Sequence, residues 1–215
     1  MRKYFDKELE NLHDSLLKMG VMVEEMIDIS IDSLLKQDDV LADKVIELDD
    51  RVDEMEIKIE KKCLELIALQ QPMAKDLRDI SAILKIITDL ERIGDHGVNI
   101  AKVTKKLSKE DYIKPLIDIP RMANISKKMI RKSLDSFVKK DIELAKEAAK
   151  MDDEIDDIYE KIYLELLEML TQNKEIMTQV VNLLFIGRYI ERIADHTTNI
   201  CERIIYMVSG IRVEY

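Results

Sequence analysis

Residues 91–100 read Glu-Arg-Ile-Gly-Asp-His-Gly-Val-Asn-Ile, and residues 191–200 read Glu-Arg-Ile-Ala-Asp-His-Thr-Thr-Asn-Ile, identical at seven of ten positions. Two further blocks repeat upstream in the same order. Residues 30–42 match residues 133–145 at seven of 13 positions, and Asp49-Asp50-Arg51-Val52-Asp53 matches Asp152-Asp153-Glu154-Ile155-Asp156. These two blocks lie 103 residues from their copies and the first lies 100, so the second copy is three residues shorter between them. Biased composition can align two Lys/Glu-rich helices by accident. It does not produce three ordered blocks with one small indel, so the chain is an internal duplication.

The repeated unit reads as three helices. The 215 residues include 5 Gly and 3 Pro, and 47% are hydrophobic and 36% charged. Few breakers among many Leu, Ile, Glu and Lys favour long helices over strands. Leu9, Leu12, Leu16, Met19, Val23, Met26, Ile27, Ile31 and Leu34 step by three and four, as one helix face does. Gln37-Asp38-Asp39 supplies a break and an N-cap, a second helix runs to about Leu69, and Gln70-Gln71-Pro72 closes it. A third helix spans about Ala74 to Leu107. The expected fold is all-α: six long antiparallel helices in two tandem three-helix bundles, residues 1–107 and 120–215, joined by a polar linker at 108–119 that holds Pro115. Whether the two copies merge into one bundle or stand side by side is open at this point. With aromatics at 5%, no Trp and 12 Met, the core must be aliphatic with Met filling its gaps.

Charge and cysteine use narrow the function. A net charge of −10 disfavours nucleic acid as a partner. The local basic runs, Lys102 to Lys109 and Lys127 to Lys132, read as solvated helix faces. Cys63 and Cys201 are far apart in no metal-like spacing and read as buried reduced thiols, which suits a cytoplasmic protein. The first residues lack the apolar run of a signal peptide, and no stretch of 18 uncharged apolar residues predicts a membrane span.

The repeated residues carry the candidate chemistry. Glu91 and Asp95 are four apart, so on a helix they lie about 40° apart and one turn along, with Asn99 a turn further. Glu191, Asp195 and Asn199 form the sister line. On the second helix of each copy stand Asp49 with Asp53, and Asp152 with Asp156. The apolar stripe of the third helix runs Ile80, Ile83, Ile87, Leu90, Gly94, Gly97 and Ala101, so the acids border the packed face. Gly94 and Gly97, like Ala194 and Thr197, are small enough to let a neighbouring helix approach. Four carboxylates per copy held close together need raised pKa values or a cation, and oxygen ligands favour hard ions such as Mg, Ca, Mn or ferric iron. Carboxylates also bridge metals, which allows a multinuclear cluster. The competing reading is an acidic face paired with Lys and Arg, and Arg92 and Arg192 read as its ion-pair partners. His96 and His196 turn about 100° from the acid line, so they are either outer partners of the acids, with Asn99 and Asn199, or interface histidines. His13 has no repeat partner and no assigned role.

The paired Glu-Arg-Ile-x-Asp-His-x-x-Asn-Ile blocks resemble the PhoU family of phosphate-uptake regulators, and the resemblance covers nearly the whole chain. The family's Glu/Asp-x-x-x-Asp signature matches Glu91–Asp95, Glu191–Asp195, Asp49–Asp53 and Asp152–Asp156. The linker Lys114 to Ala123 is similar as well. The resemblance implies two three-helix bundles, often in a homodimer. It implies a cytoplasmic partner of the phosphate ABC transporter (its ATPase subunit) and of a phosphate-sensing histidine kinase, one that restrains uptake and represses starvation genes. It further implies multinuclear metal clusters on the signature acids, iron foremost, with Mn or Mg in other members. A metal-free helical adaptor is the alternative. A carboxylate-bridged di-iron enzyme is a third reading, but such sites use Glu-x-x-His on facing helices. Here each His follows Asp directly and stands five after the Glu, and no other catalytic motif is present, so the chain is not expected to be an enzyme.

Overall fold

The computed structural model describes residues 2–215, and no strand occurs among them. Helices α1 (Arg2–Lys36), α2 (Asp39–Gln70) and α3 (Ala74–Leu107) form the first unit. Helices α4 (Asp118–Lys139), α5 (Ile142–Ala149), α6 (Asp152–Gln172) and α7 (Met177–Ser209) form the second, with a 3₁₀ turn at Lys174–Ile176 before α7. No helix among the described residues is long and apolar enough to cross a membrane.

The same cap starts the second rod of each unit. Gln37 takes a left-handed conformation (φ 52) and ends α1. The Asp38 carboxylate then accepts from the Val40 and Leu41 N–H groups at 2.8 and 3.1 Å. In the second unit Lys140 (φ 53) makes the turn, and Asp141 accepts from Glu143 and Leu144 at 3.0 and 3.1 Å. These bonds satisfy donors that a helix start leaves without partners. The Gln37 side chain also donates to the carbonyls of Leu107 (2.9 Å) and Glu110 (2.6 Å), which pins this turn to the end of α3.

Two details depart from the periodicity. The linker ends at residue 117, two residues before the expected 119, because α4 already begins at Asp118. Pro120 sits inside its first turn, where the missing N–H has no helical partner to lose. The second rod of the second unit is divided into α5 and α6 at Lys150–Met151. The Lys150 N–H still reaches the Lys146 carbonyl (3.1 Å), but the Met151 N–H bonds one residue short, to Ala148 (3.2 Å). The turn tightens there without reversing the chain.

The units stand side by side. α3 packs along α7, and α1 touches α4. α3 and α7 run antiparallel: Arg78 near the start of α3 lies beside Gly210 at the end of α7, and His196 in α7 contacts Asp89 in α3. One continuous buried apolar cluster spans both units. Leu12, Leu16, Met19, Met26, Ile27 and Leu34 of the expected α1 stripe are buried, as are Ile80, Ile83, Ile87 and Leu90 of the α3 stripe. His13, without a role in the sequence, bonds the buried Asp79 through Nε2 (3.2 Å) and meets the Phe137 ring edge-on at 4.9 Å, so it ties α1 to α3 and α4.

If the two caps are equivalent devices, Asp38→Ala and Asp141→Ala should each lower unfolding stability by about 1 kcal/mol. Urea denaturation of each variant measures this, and an unchanged midpoint for either would refute its role as a cap.

Candidate metal centres on paired helices

Helix packing places each acid line against its neighbour. α2 packs on α3, and α6 packs on α7. In the first unit this sets Asp49 and Asp53 facing Glu91 and Asp95. Asp49 is half-buried. Its Oδ1 is closed off from solvent and has no hydrogen-bond partner. Burial, then the charges of Asp53, Asp95 and Asp50, push its pKa up to about 6 against the pull of Lys102. Glu91 is pushed up to about 7 by burial and Asp95, with Arg92 opposing and Glu56 and Asp53 adding to the rise.

The second unit repeats the pattern. Asp152 Oδ1 is closed off without a partner, while its Oδ2 accepts from the Thr198 hydroxyl at 3.5 Å. Burial, Asp156, Asp195 and Asp153 push Asp152 up to about 7. Asp156 is also raised, by burial first and then by Asp195. A methyl group added at Gly94 would lie 3.5 Å from Asp49 Oδ1 and 3.7 Å from Val52, in ordinary contact. That tolerance explains why the second copy carries Ala194 at the same place.

Arginines answer part of the charge, as the competing reading requires. Arg92 pairs with Glu91 (3.3 Å) and Asp95 (2.9 Å). In the second unit the expected partner Arg192 makes no ion pair among the described residues, and Arg188, three residues before Glu191, pairs with it instead. Arg188 replaces Thr88 of the first copy, so the sequence repeat pointed to the wrong arginine.

The histidines also depart from one of their two readings. Neither bonds any of the eight acids. They meet each other in the α3–α7 seam, ring centroids 5.7 Å apart. His96 is buried and stacks on Tyr189 at 5.8 Å, and burial, then His196 and Arg192, push its pKa down to about 4. His196 Nδ1 lies 3.0 Å from Asp89 Oδ1, which Asn199 also reaches at 3.4 Å. Asp89 and Tyr189 occupy the same repeat position, so each histidine meets the other copy's version of one residue. His96, His196 and Asn199 are therefore interface residues, and no hydrogen bond places Asn99 beside the acids.

Sequence reasoning missed Glu56. It stands three residues after Asp53 on α2, receives the Thr88 hydroxyl at 3.1 Å and adds to the charge around Glu91. Its seven-residue step from Asp49 is legible in the sequence. Its repeat position is Tyr159, so the search for duplicated acids passed over it.

The donor set suits a hard cation: carboxylate oxygens only, two of them, on Asp49 and Asp152, buried with neither hydrogen bond nor ion pair, in surroundings that resist their ionisation. Among the described residues no three His, Cys, Asp or Glu side chains converge closely enough to hold an ion as they stand. Asp53, Asp156 and Asp195 are exposed and free to turn inward; Asp49, Glu91, Asp95, Asp152 and Glu191 are held by packing or pairing. Ligation would displace Arg92 from Glu91 and Asp95, and Arg188 from Glu191.

The model for the PhoU domain matches residues 16–104 and again residues 119–204. A phosphate-specific transport system accessory protein PhoU homolog of Clostridium acetobutylicum is 44% identical over 99% of this chain and 98% of its own length. One from Aquifex aeolicus is 40% identical over 97% and 95%. The crystal structure of PhoU from Pseudomonas aeruginosa superposes with a TM-score of 0.93 at 34% identity, covering 96% of this chain and all of the other. The phosphate transport system regulatory protein PhoU of Streptococcus pneumoniae gives 0.90 at 30% identity, over 98% of this chain.

The raised pKa values set a pH dependence. Protonated Asp49, Glu91 and Asp152 favour the folded chain, so their contribution is complete below the ordinary carboxylate range and is lost as pH rises through about 6 to 7. Chelator-treated protein is expected to resist urea better near about pH 5 than near about pH 7.5, and Asp49→Asn with Asp152→Asn should flatten that slope. A slope of opposite sign in metal-free protein would contradict the assignment.

Proposed function

The chain belongs to the PhoU family, and from that premise we propose that it is a cytoplasmic accessory protein of a phosphate-specific transport system. It restrains the ABC transporter through its ATPase subunit and represses phosphate-starvation signalling through a sensor histidine kinase. Full-length similarity to proteins described as accessory or regulatory in phosphate transport supports this reading. Its working form in this proposal is a homodimer. Those descriptions name no enzymatic activity, and the histidines that a di-iron site would draw on lie in the helix seam.

The observation that carries the site is the pair of half-buried aspartates, Asp49 and Asp152, each with an unbonded carboxylate oxygen at the same place in the duplication. We assign Asp49, Asp53, Glu91 and Asp95, with Glu56 beside them, to one metal centre, and Asp152, Asp156, Glu191 and Asp195 to the other. Iron is the leading metal, with Mn or Mg as the other hard ions the donors suit. A bound cation supplies positive charge that lets the carboxylates ionise together. The residues themselves then fasten α2 to α3 and α6 to α7, which fixes the outer face for a partner to read. The Arg92 and Arg188 ion pairs favour a second reading, a metal-free adaptor whose acids are balanced internally.

Elemental analysis separates the two. Protein purified without chelator should hold metal, and Glu91→Ala, Asp95→Ala, Glu191→Ala and Asp195→Ala together should remove it; equal content in both proteins would leave the adaptor. Added Mn or Fe should raise the unfolding midpoint of the wild type by mass action, and of the fourfold variant not at all. Regulation is tested separately. Deleting the gene in its own host should switch on phosphate-starvation genes in phosphate-rich medium, and an unchanged starvation reporter would refute the proposed role.

A further inference from the structure

Away from the acids, a cleft opens where the first half of α3 meets the end of α7. Gly210 (φ 75) caps α7 and turns the chain back. Val213 then packs on the core, and the Tyr215 N–H donates to Glu202 Oε1 at 3.0 Å. The Arg212 guanidinium lies over the Tyr206 ring, 5.7 Å from its centroid. The cavity so enclosed measures about 230 Å³, and Lys85, Arg203, Tyr206 and Arg212 line it, together with Ser81, Glu202 and Glu214.

Its cations are uncommitted. Arg92, Arg121, Arg131 and Arg188 each pair with a carboxylate, as an acidic chain makes easy. Among the described residues Lys85, Arg203 and Arg212 form no ion pair, and neither does Arg78, which lies beside Gly210. The Nε–H groups of Arg78 and Arg203 are closed off from solvent and have no acceptor. Three cations without a carboxylate partner, Lys85, Arg203 and Arg212, thus line one cleft.

The duplication supplies an internal control. At the repeat positions of Ser81, Lys85, Arg203 and Tyr206 stand Val181, Phe185, Val103 and Lys106. The other end of the α3–α7 seam is thus built mainly from apolar side chains. Packing two antiparallel copies of this helix does not require the cationic set.

We propose that this cleft binds a phosphate-type oxyanion, with Lys85, Arg203 and Arg212 as its cationic clamp and the Ser81 and Tyr206 hydroxyls as further donors. Guanidinium groups present paired N–H donors that match such an anion. Glu202 and Glu214 give the site its selectivity. A carboxylate accepts a hydrogen bond from an anion that still carries a proton, as phosphate does near neutral pH, and repels sulfate, which carries none.

Calorimetric titration of the full chain in chloride buffer tests this, with inorganic phosphate, glycerol phosphate and sulfate as separate titrants. Phosphate should bind and sulfate at least about tenfold more weakly; glycerol phosphate, which has largely lost its second proton near neutral pH, should bind more weakly than free phosphate and approach it as the pH is lowered. Arg203→Gln should weaken binding by about tenfold or more. Arg212→Gln, on the exposed returning segment, should do the same without a folding risk, whereas Lys106→Gln at the other end of the seam should change nothing. The fourfold alanine variant of the acid lines should bind as the wild type does, so a failed metal assignment leaves this result intact. Absence of binding, equal binding of sulfate, or undiminished affinity in the two arginine variants would overturn the proposal.

Discussion

The structure depends on α3 and α7 each serving its own unit and the opposite unit at once. α3 packs against α1 and α2 within its unit and against α7 across the seam, so its burial extends well beyond a single stripe. Ile80, Ile83, Ile87 and Leu90 face one side, while Ile86, Ile93, Ile100 and Val103 are buried as well. On such a helix only a narrow strip remains for charge. Glu91 and Asp95 occupy that strip, at the margin where α2 leaves off. The raised ionisation cost of Glu91 follows from position: the helix had little solvent left to offer it, and α2 brings its own acids to the same margin.

The helical organisation was open to reading because it is written locally. Asp38 and Asp141 mark where helices start, and Gln71-Pro72 marks where one stops. Three-and-four spacing marks which faces are buried. What the periodicity cannot carry is the identity of the neighbour that covers a face. The α3–α7 seam is therefore not legible in the sequence, which leaves His96 and His196 between two readings, and the structure bears out the interface one. Both were placed one residue round the helix from the acids, which is correct, but that direction leads into the seam. Arg188 and Glu56 were missed for the opposite reason. Looking for what both copies share hides what each has alone, and these two residues have Thr88 and Tyr159 as their counterparts.

Those unshared residues show how two copies of one unit have diverged without disturbing the fold. The repeated set comprises the caps, the four acidic pairs and the histidines of the seam. Around it the copies vary in polarity at positions that packing constrains only by size or exposure. Asp89 and Tyr189 both lie against a histidine of the opposite unit, one by a hydrogen bond and one by ring stacking. Lys85 and Phe185 sit at opposite ends of the seam, one beside a charged cleft and the other half-exposed against Tyr189. An antiparallel pair of like helices has two equivalent ends, and side-chain substitution alone has made them chemically distinct.

The acid lines have diverged in the same way, with consequences for charge. In the first unit Glu56 adds a carboxylate, and Arg92 is spread over Glu91 and Asp95. In the second Tyr159 stands in place of that carboxylate, and Arg188 is committed to Glu191 alone. Asp152 also receives the Thr198 hydroxyl, whereas the corresponding residue beside Asp49 is Val98, which offers no donor. Glu56 and Val98 leave more uncompensated carboxylate in the first unit, whereas Lys102, whose counterpart is Glu202, offsets it there. A cation held by oxygen ligands responds to the number of charged donors and to how tightly their counter-ions hold them. The duplicated sites are therefore alike in layout and unequal in the charges that surround them.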